Sequence, residues 1–317
     1  MSATPSDPVK KFHYRFRAMG SPCEIILEQE CKDTSRAVVS LLEKEVRRLE
    51  NQYSRFLPNS ITTRINESAG HGISIAIDRE TEKLLDYADT CYEQSDGLFD
   101  ITSGSLRKIW NYHDLEQKQV LPDDSVIRKE LEKVGWKKVE RQPGRICLPL
   151  IGMEIDFGGI VKEYAVDCVA AIAEAKGIGP GIVELGGDIR MFGNTTGESW
   201  RVGIRDPHGA VLSSTIAFIK VQQGGIATSG DYERYSLIKG KKYSHILNPL
   251  TGWPVEGLSS VTVLADQCIV AGSAASIAVL KGEKGIDWIK ALGLPFLCID
   301  QRGRTSGTIE QFKQGCF

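Results

Sequence analysis

Long apolar runs, an excess of charge and leader-like segments are all missing from this chain of 317 residues. Nothing in it approaches the roughly 18 consecutive apolar residues of a membrane-spanning helix. The net charge of −2 and the lack of any block of like charges give no field that attracts nucleic acid. Basic side chains near the N-terminus have no apolar run behind them, and Cys23 lacks the apolar segment of a lipidation site. We therefore expect a cytoplasmic protein that binds neither nucleic acid nor membranes.

Several catalytic signatures are missing as well. The sequence contains no HExxH, GxSxG, Walker A or GxGxxG motif. This argues against zinc peptidases, serine hydrolases with a nucleophile elbow, P-loop NTPases and Rossmann dehydrogenases. The eight cysteines form no CxxC pair. In a cytosolic chain we expect them to be reduced and mostly buried.

Strands and helices are mixed along the chain without strict alternation. Apolar residues at helical spacing predict a helix over about residues 33–54 and another directly after Asp78. Three more helices are predicted over about residues 124–134, 267–280 and 284–292. From residue 150 onward, short β-branched or alternating runs predict a series of strands. The mixture favours an α+β fold over a doubly wound sheet. We predict a flexible N-terminal segment over residues 1–14 and one domain over residues 15–317.

Four clusters of glycine and polar residues lie at the ends of predicted strands. In DFGGIVKE (156–163), an acid, two glycines and a lysine fall within seven residues. Glycine lets the backbone approach a ligand, and the following helix start offers free N–H groups to a phosphate. The other clusters are ELGGDIR (184–190), GGIATSGDYERY (224–235) and YSHILNPLTGWPV (243–255). Each one alone is as well explained by a turn, or by Asp156 as a helix cap, but together they indicate a phosphate-containing ligand with a metal ion.

In its order of motifs the chain resembles the FAD:protein FMN transferase family, also called the ApbE family. The matching pieces are AMGSPCEI, SDGLFDITSGSLRKIW, DFGGIVKEYAVD, ELGGDIRMFG, WRVGIRDP, IATSGDYERY and SHILNPLTGWPV, which together span about residues 15–310. The resemblance implies a single α+β unit of the T-fold-like ApbE architecture. It also implies an enzyme that uses Mg²⁺ and attaches the FMN half of FAD to a Ser or Thr of a flavoprotein, releasing AMP. The implied partners are FAD and a flavin-accepting protein.

The resemblance assigns roles to particular residues. His245 falls where the family has a proton-handling histidine. Gly159, through its carbonyl, and Ser276, through its hydroxyl, fall at metal-binding positions. The implied FAD contacts are Met19, Phe56, Leu98, Phe99, Asp100, Asp156, Lys162 and Ile246.

The chain departs from the family pattern at the metal site. The late helix of the family carries Asp and Thr four residues apart, on one helix face, and this chain has Gly272 and Ser276 there. The serine keeps an oxygen, whereas the glycine removes the carboxylate, so we expect a weakened metal site that Gly272→Asp would restore. Asp266 is a candidate substitute. Glu163 and Glu184, which replace Gly and Asn of the family pattern, add negative charge that either compensates for the lost Asp or repels a pyrophosphate.

Three functions remain open at this point. The first is an active flavin transferase with an altered metal site. The second is a non-catalytic protein that binds FAD or another nucleotide as a sensor, carrier or partner protein, which the loss of the carboxylate at Gly272 favours. The third is a hydrolase that splits FAD into FMN and AMP with water as the acceptor.

Overall fold

An eight-stranded antiparallel sheet forms the centre of the structure, in the strand order β1-β2-β6-β7-β10-β13-β14-β15. The computed structural model describes residues 10–29, 32–193, 199–209, 214–232 and 234–309. Two smaller antiparallel pairs, β8-β9 and β11-β12, and the small sheet β3-β5-β4 complete the strands of these ranges. The strands are β1 Lys10–Ala18, β2 Ser21–Gln29, β3 Ile75–Ala76, β4 Glu140–Gln142, β5 Arg145–Cys147, β6 Gly181–Leu185, β7 Asp188–Phe192, β8 Trp200–Arg205, β9 Thr215–Val221, β10 Gly224–Gly230, β11 Tyr235–Ile238, β12 Lys241–Ser244, β13 Leu258–Ala265, β14 Phe296–Asp300 and β15 Thr305–Gly307.

Each predicted helical segment forms a helix. The helices are α1 Lys32–Tyr53, α2 Ile61–Glu67, α3 Arg79–Gln94, α4 Tyr112–Lys118, α5 Asp124–Leu131, α6 Val161–Ala175, α7 Cys268–Leu280 and α8 Lys284–Ala291, with short 3₁₀ helices at Ile101–Lys108 and Trp136–Lys138. Of these, α2 and α4 are two short helices that were not predicted. Asp78 caps α3 by accepting a hydrogen bond from the Thr81 backbone N–H. The predicted α+β class is confirmed. None of the described helices is both long and apolar enough to cross a membrane.

The first two strands form a tight hairpin. Met19 and Gly20 make the turn with φ of 50° and 69°, and two successive positive φ angles are typical of a type I′ turn. Pairing starts with Lys10 opposite Gln29. Residues 10–14 of the segment predicted to be flexible are therefore paired in the sheet, while residues 1–9 lie outside the described part of the chain.

Helices cover one face of the central sheet. α6 packs on β6 and β7, and α7 packs on β10 and β13. α7 is surrounded on nearly all sides, because small residues such as Ala271, Gly272 and Ala275 allow close approach and are all buried. α1 lies on α6 and on the β1–β2 hairpin. α6 and α7 are therefore held side by side in the core.

The β8–β9 ribbon covers the opposite face of the sheet. Trp200 and Ile219 from the ribbon belong to one buried apolar cluster with Met191, Ile226 and Leu297 from the central strands. The sheet is thus buried on both sides, as in a layered α+β domain. The described cysteines are free thiols, as predicted, and all are buried except the half-buried Cys168; Cys31 and Cys316 lie outside the described residues.

Candidate active site

Two hairpin turns and the first turn of α6 meet at one end of the sheet. A side chain at Gly186, in the β6–β7 turn, would lie 2.8 Å from Ser21 Oγ and 3.6 Å from Lys162 Nζ. Gly186 also has a φ of 60°, a region that side chains disfavour. Glycine is therefore required here. The Lys162 ammonium lies at this junction and forms an ion pair of 2.7 Å with the buried Asp188.

Met19 and Phe56 occupy different settings near this end of the fold. The Met19 backbone N–H donates a 2.6 Å hydrogen bond to Glu50 Oε1 of α1, which fixes the β1–β2 turn against that helix. Phe56 is 79% exposed, and the Arg55 guanidinium lies 4.7 Å from its ring centroid. An exposed aromatic ring of this kind is suited to stacking on a planar ligand. The contact of both residues with flavin stays a prediction.

Asp156 joins three loops. Its carboxylate accepts a 2.9 Å hydrogen bond from the Gly158 N–H and forms an ion pair with Arg55. Its Cβ atom lies 3.0 Å from the position of a Cβ on Gly104, so that close approach needs glycine. Burial, together with the nearby charge of Arg107, lowers the pKa of Arg55 to about 10. The aspartate therefore has a structural partner as well as its predicted contact with FAD.

The segment Leu98–Asp100 supports the loop that precedes α6. Phe99 is buried, and its ring would contact a side chain at Gly159 at 3.3 Å. The Asp100 carboxylate caps the following 3₁₀ helix through Thr102 and accepts a 2.9 Å hydrogen bond from the Trp136 N–H. Asp100 thus has a structural role in the described fold, and its contact with FAD stays a prediction.

His245 follows strand β12, at the rim of the fold. β12 ends at Ser244, one residue before His245. The side chain is exposed, and Nδ1 lies 3.0 Å from the Arg234 carbonyl oxygen. A carbonyl only accepts, so Nδ1 carries the proton in this bond, which makes Nε2 the basic nitrogen of the neutral ring. Ile246 is half-buried and packs on the main core.

Glu163 fills the space beside Gly272 where the family pattern has an aspartate side chain. A Cβ atom on Gly272 would lie 2.6 Å from Glu163 Cγ and 2.8 Å from Glu163 Oε1. Glu163 is only 7% exposed, and its Oε2 has no hydrogen-bond partner among the described residues. Burial, and then the nearby charge of Asp188, raise the pKa of Glu163 to about 8. A carboxylate of α6 thus lies beside the position on α7 that has none.

This finding changes two expectations about the metal site. The expectation of a weakened metal site took only the side chains of α7 into account. With Glu163 in place, the single change Gly272→Asp would put two carboxylates in the same space. Asp266 is exposed and precedes α7, whereas Gly272 lies one turn into the helix, about 6 Å farther along the axis from its first residue. Asp266 is therefore badly placed as a substitute. The described residues contain no preformed cluster of three or more His, Cys, Asp or Glu side chains for a metal.

The structure brings some of the predicted residues together and adds others. The loop before α6, the first turn of α6 and the β6–β7 turn form one region. Sequence reasoning missed Arg55 and Asp188. Arg55 directly precedes the predicted flavin contact Phe56, and Asp188 lies within the cluster ELGGDIR. These positions in the sequence were the signal that could have identified both residues.

Comparison with known proteins agrees with this geometry. The sequence profile of the ApbE family matches residues 19–297. A FAD:protein FMN transferase of Vibrio cholerae is 28% identical over 296 residues, covering 92% of this chain and 88% of the relative. The FAD:protein FMN transferase of Chlamydia pneumoniae is 30% identical over 244 residues, covering 75% of this chain and 74% of the relative.

Solved structures give the same result. The crystal structure of the ApbE protein from Thermotoga maritima superposes with a TM-score of 0.84 at 30% identity, covering 94% of this chain and 97% of that protein. The flavin transferase ApbE of Vibrio cholerae superposes with a TM-score of 0.83 at 26% identity, covering 95% and 98%. The predicted ApbE architecture is confirmed, and the chain belongs to the ApbE family.

Proposed function

We propose that this chain is a Mg²⁺-dependent FAD:protein FMN transferase. It moves FMN from FAD to a Ser or Thr hydroxyl of a target flavoprotein and releases AMP. The observation that carries the proposal is the junction at Lys162, where motifs far apart in the sequence meet around a cation and a glycine turn. Membership of the family and the activity named for its relatives support it.

The substrate binding that we propose uses charge and open backbone. FAD carries a pyrophosphate, and the Lys162 ammonium, held at the start of α6, offers it a positive charge. Asp188 fixes that ammonium by the ion pair. The exposed Phe56 ring offers a stacking surface for the planar flavin or adenine.

The reaction needs a proton acceptor and charge neutralisation. The acceptor hydroxyl attacks the phosphorus of the FMN half, the bond to the AMP phosphate breaks, and AMP leaves. His245 is suited to take the hydroxyl proton at Nε2, since its Nδ1 is committed to the Arg234 carbonyl. A Mg²⁺ ion held by Glu163, the Gly159 carbonyl and Ser276 would neutralise charge on the phosphates.

The residues present fit such a cation. Oε2 of Glu163 is a buried oxygen without a partner among the described residues. Among the described residues, the Gly159 carbonyl oxygen accepts no hydrogen bond from a backbone N–H. Ser276 offers a hydroxyl oxygen. Carboxylate, carbonyl and hydroxyl oxygens are the donors that Mg²⁺ prefers, with water and substrate phosphates completing its shell.

The test is to incubate the protein with FAD, Mg²⁺ and a flavoprotein apo-form that normally carries FMN linked through its phosphate to threonine. We expect the mass of the acceptor to rise by one FMN with matching release of AMP. The Thr→Ala acceptor should gain nothing. Free FMN and AMP without acceptor modification would identify the hydrolase instead. FAD binding followed by flavin fluorescence, with no AMP from either reaction, would identify the non-catalytic binder.

A further inference from the structure

We propose that Glu163 supplies the carboxylate of the cation site in this chain, from α6, in place of a carboxylate on α7 at position 272. The inference deepens the proposed function and rests on it for the identity of the nucleotide. It assigns a role to a residue that sequence comparison with the family pattern marks only as a departure.

Glu163 and a side chain at position 272 would occupy the same space. Glu163 Cγ and Oε1 lie 2.6 and 2.8 Å from where the Cβ of a residue at position 272 would stand, which is closer than real side chains approach. A glutamate at 163 and an aspartate at 272 therefore exclude each other without rearrangement. The two departures from the family pattern, Gly to Glu163 and Asp to Gly272, are one exchange that keeps a single carboxylate in the same place.

Helices α6 and α7 pack in a fixed register. The Asp167 carboxylate of α6 accepts hydrogen bonds from the backbone N–H groups of Cys268 and Ile269, at the start of α7. One turn back along α6 is Glu163, and one turn forward along α7 is Gly272, which are in contact. The helices thus run antiparallel with a repeat of four residues. Ser276 lies one further turn along α7, and Gly159 lies in the loop just before α6.

Within the described part of the chain, the Glu163 carboxyl group has an unpaired buried oxygen. Such an oxygen costs free energy, and a bound ion or an ordered water offsets that cost. Oε2 of Glu163 is such an oxygen, and the residue as a whole is 7% exposed. Helical side chains lean toward the N-terminus of their own helix. The Glu163 side chain therefore leans toward Gly159, and the Ser276 side chain leans toward Gly272, so the oxygen donors converge on the same gap.

The experiment measures cation binding directly. Mn²⁺ is titrated by electron paramagnetic resonance of the free ion, with and without saturating FAD, and FAD binding is followed separately by flavin fluorescence. We expect Glu163→Gln to weaken Mn²⁺ binding about tenfold or more. Glu130→Gln is the matched control, because Glu130 on α5 also has a buried oxygen without a partner among the described residues and pairs with Lys133. It should bind Mn²⁺ as the unmodified protein does.

A second pair of variants tests the exchange without relying on one substitution. Gly272→Asp alone should lower Tm by about 3–10 °C through overpacking. Glu163→Gly together with Gly272→Asp should recover both Tm and Mn²⁺ affinity, to within about threefold. Full Mn²⁺ affinity in Glu163→Gln, no Mn²⁺ binding by the unmodified protein in either condition, or no recovery in the double variant would overturn the inference.

The outcome is separable from that of the proposed function. Mn²⁺ binding that depends on Glu163, with no transfer of FMN, would leave the cation site standing and remove the transferase. Transfer of FMN with Mn²⁺ binding indifferent to Glu163 would do the reverse.

Discussion

The Asp167 carboxylate on α6 accepts a 2.8 Å hydrogen bond from the backbone N–H of Cys268, the first residue of α7. A second bond of 2.9 Å comes from the Ile269 N–H. A side chain of one core helix thereby caps the next one, since Gln267 at the N-cap makes no side-chain cap of its own. This cap sets the register that brings Glu163 opposite Gly272.

Asp167→Ala should therefore cost stability and disturb the candidate cation site. Loss of a helix N-cap costs about 1–2 kcal/mol of unfolding free energy, and leaving the first N–H groups of a buried helix without an acceptor places this case at the upper end. Urea unfolding measures the change. Glu174→Ala, at an exposed position on the same helix, is the control and should change the free energy by less than about 0.5 kcal/mol. Equal values for the two variants would refute the capping role.

His245→Ala should reduce AMP release from FAD by about 100- to 10,000-fold, the usual worth of general acid–base help. FAD affinity should stay within about twofold, because the exposed imidazole is assigned to the proton and not to binding. AMP is measured by chromatography and FAD affinity by flavin fluorescence. His71→Ala, another exposed histidine, should leave both unchanged. If His245→Ala releases AMP at the normal rate, the proton acceptor lies elsewhere.

Asp156→Asn should weaken FAD binding and lower stability together. The ion pair with Arg55 ties the loop after α1 to the loop before α6, and both side chains are about three-quarters buried, at 24% and 22% exposure. Removing one partner leaves a half-buried guanidinium, which costs about 1–3 kcal/mol. Fluorescence titration and urea unfolding measure the two effects. For comparison, Arg47→Ala breaks a more exposed pair with Glu43 and should cost less than about 0.5 kcal/mol. A stable Asp156→Asn protein with unchanged FAD affinity would contradict the assignment.

Glu80 should give the fold a measurable acid sensitivity. Hydrogen bonds from Arg48 and Tyr164 outweigh desolvation and hold the pKa of Glu80 below its ordinary value of 4.5. These bonds link α1, α3 and α6. A lowered folded pKa means that the stabilisation is present above pH 4.5 and is lost as the pH falls through the folded pKa.

Glu80→Gln should accordingly lose about 0.5–1 kcal/mol at pH 7, discounted because Glu80 is partly exposed to solvent. The difference in unfolding free energy between this variant and the unmodified protein should narrow as the pH falls to about 3. Urea unfolding at both pH values measures it. Glu67→Gln, at an exposed position at the end of α2, should match the unmodified protein throughout. If the loss of unfolding free energy in Glu80→Gln is the same at both pH values, the charge of Glu80 is not responsible for that loss.

Local sequence patterns predicted most elements of this fold and the kind of ligand that its motifs suit. The helix of residues 268–280 was predicted to within one residue, because its apolar run and the strand before it fix both ends. Lys162 was identified within DFGGIVKE, because acid, glycine and lysine at that spacing suit a phosphate whatever surrounds them. Such signals are readable because each depends on residues that are neighbours in the chain.

Only the tertiary structure decided how the metal-site departures relate to each other. In the sequence, Gly272 read as a lost ligand and Glu163 as an added charge of unknown effect. Their partnership depends on the register of two antiparallel helices, which is set by the bond from Cys268 to Asp167 and by close packing of small residues on α7. Side chains that share one space are distant in the chain, and no pattern of a single sequence reports that they touch. For the same reason the sequence left open the ion pairs of Arg55 with Asp156 and of Lys162 with Asp188, since each is made by folding two loops together.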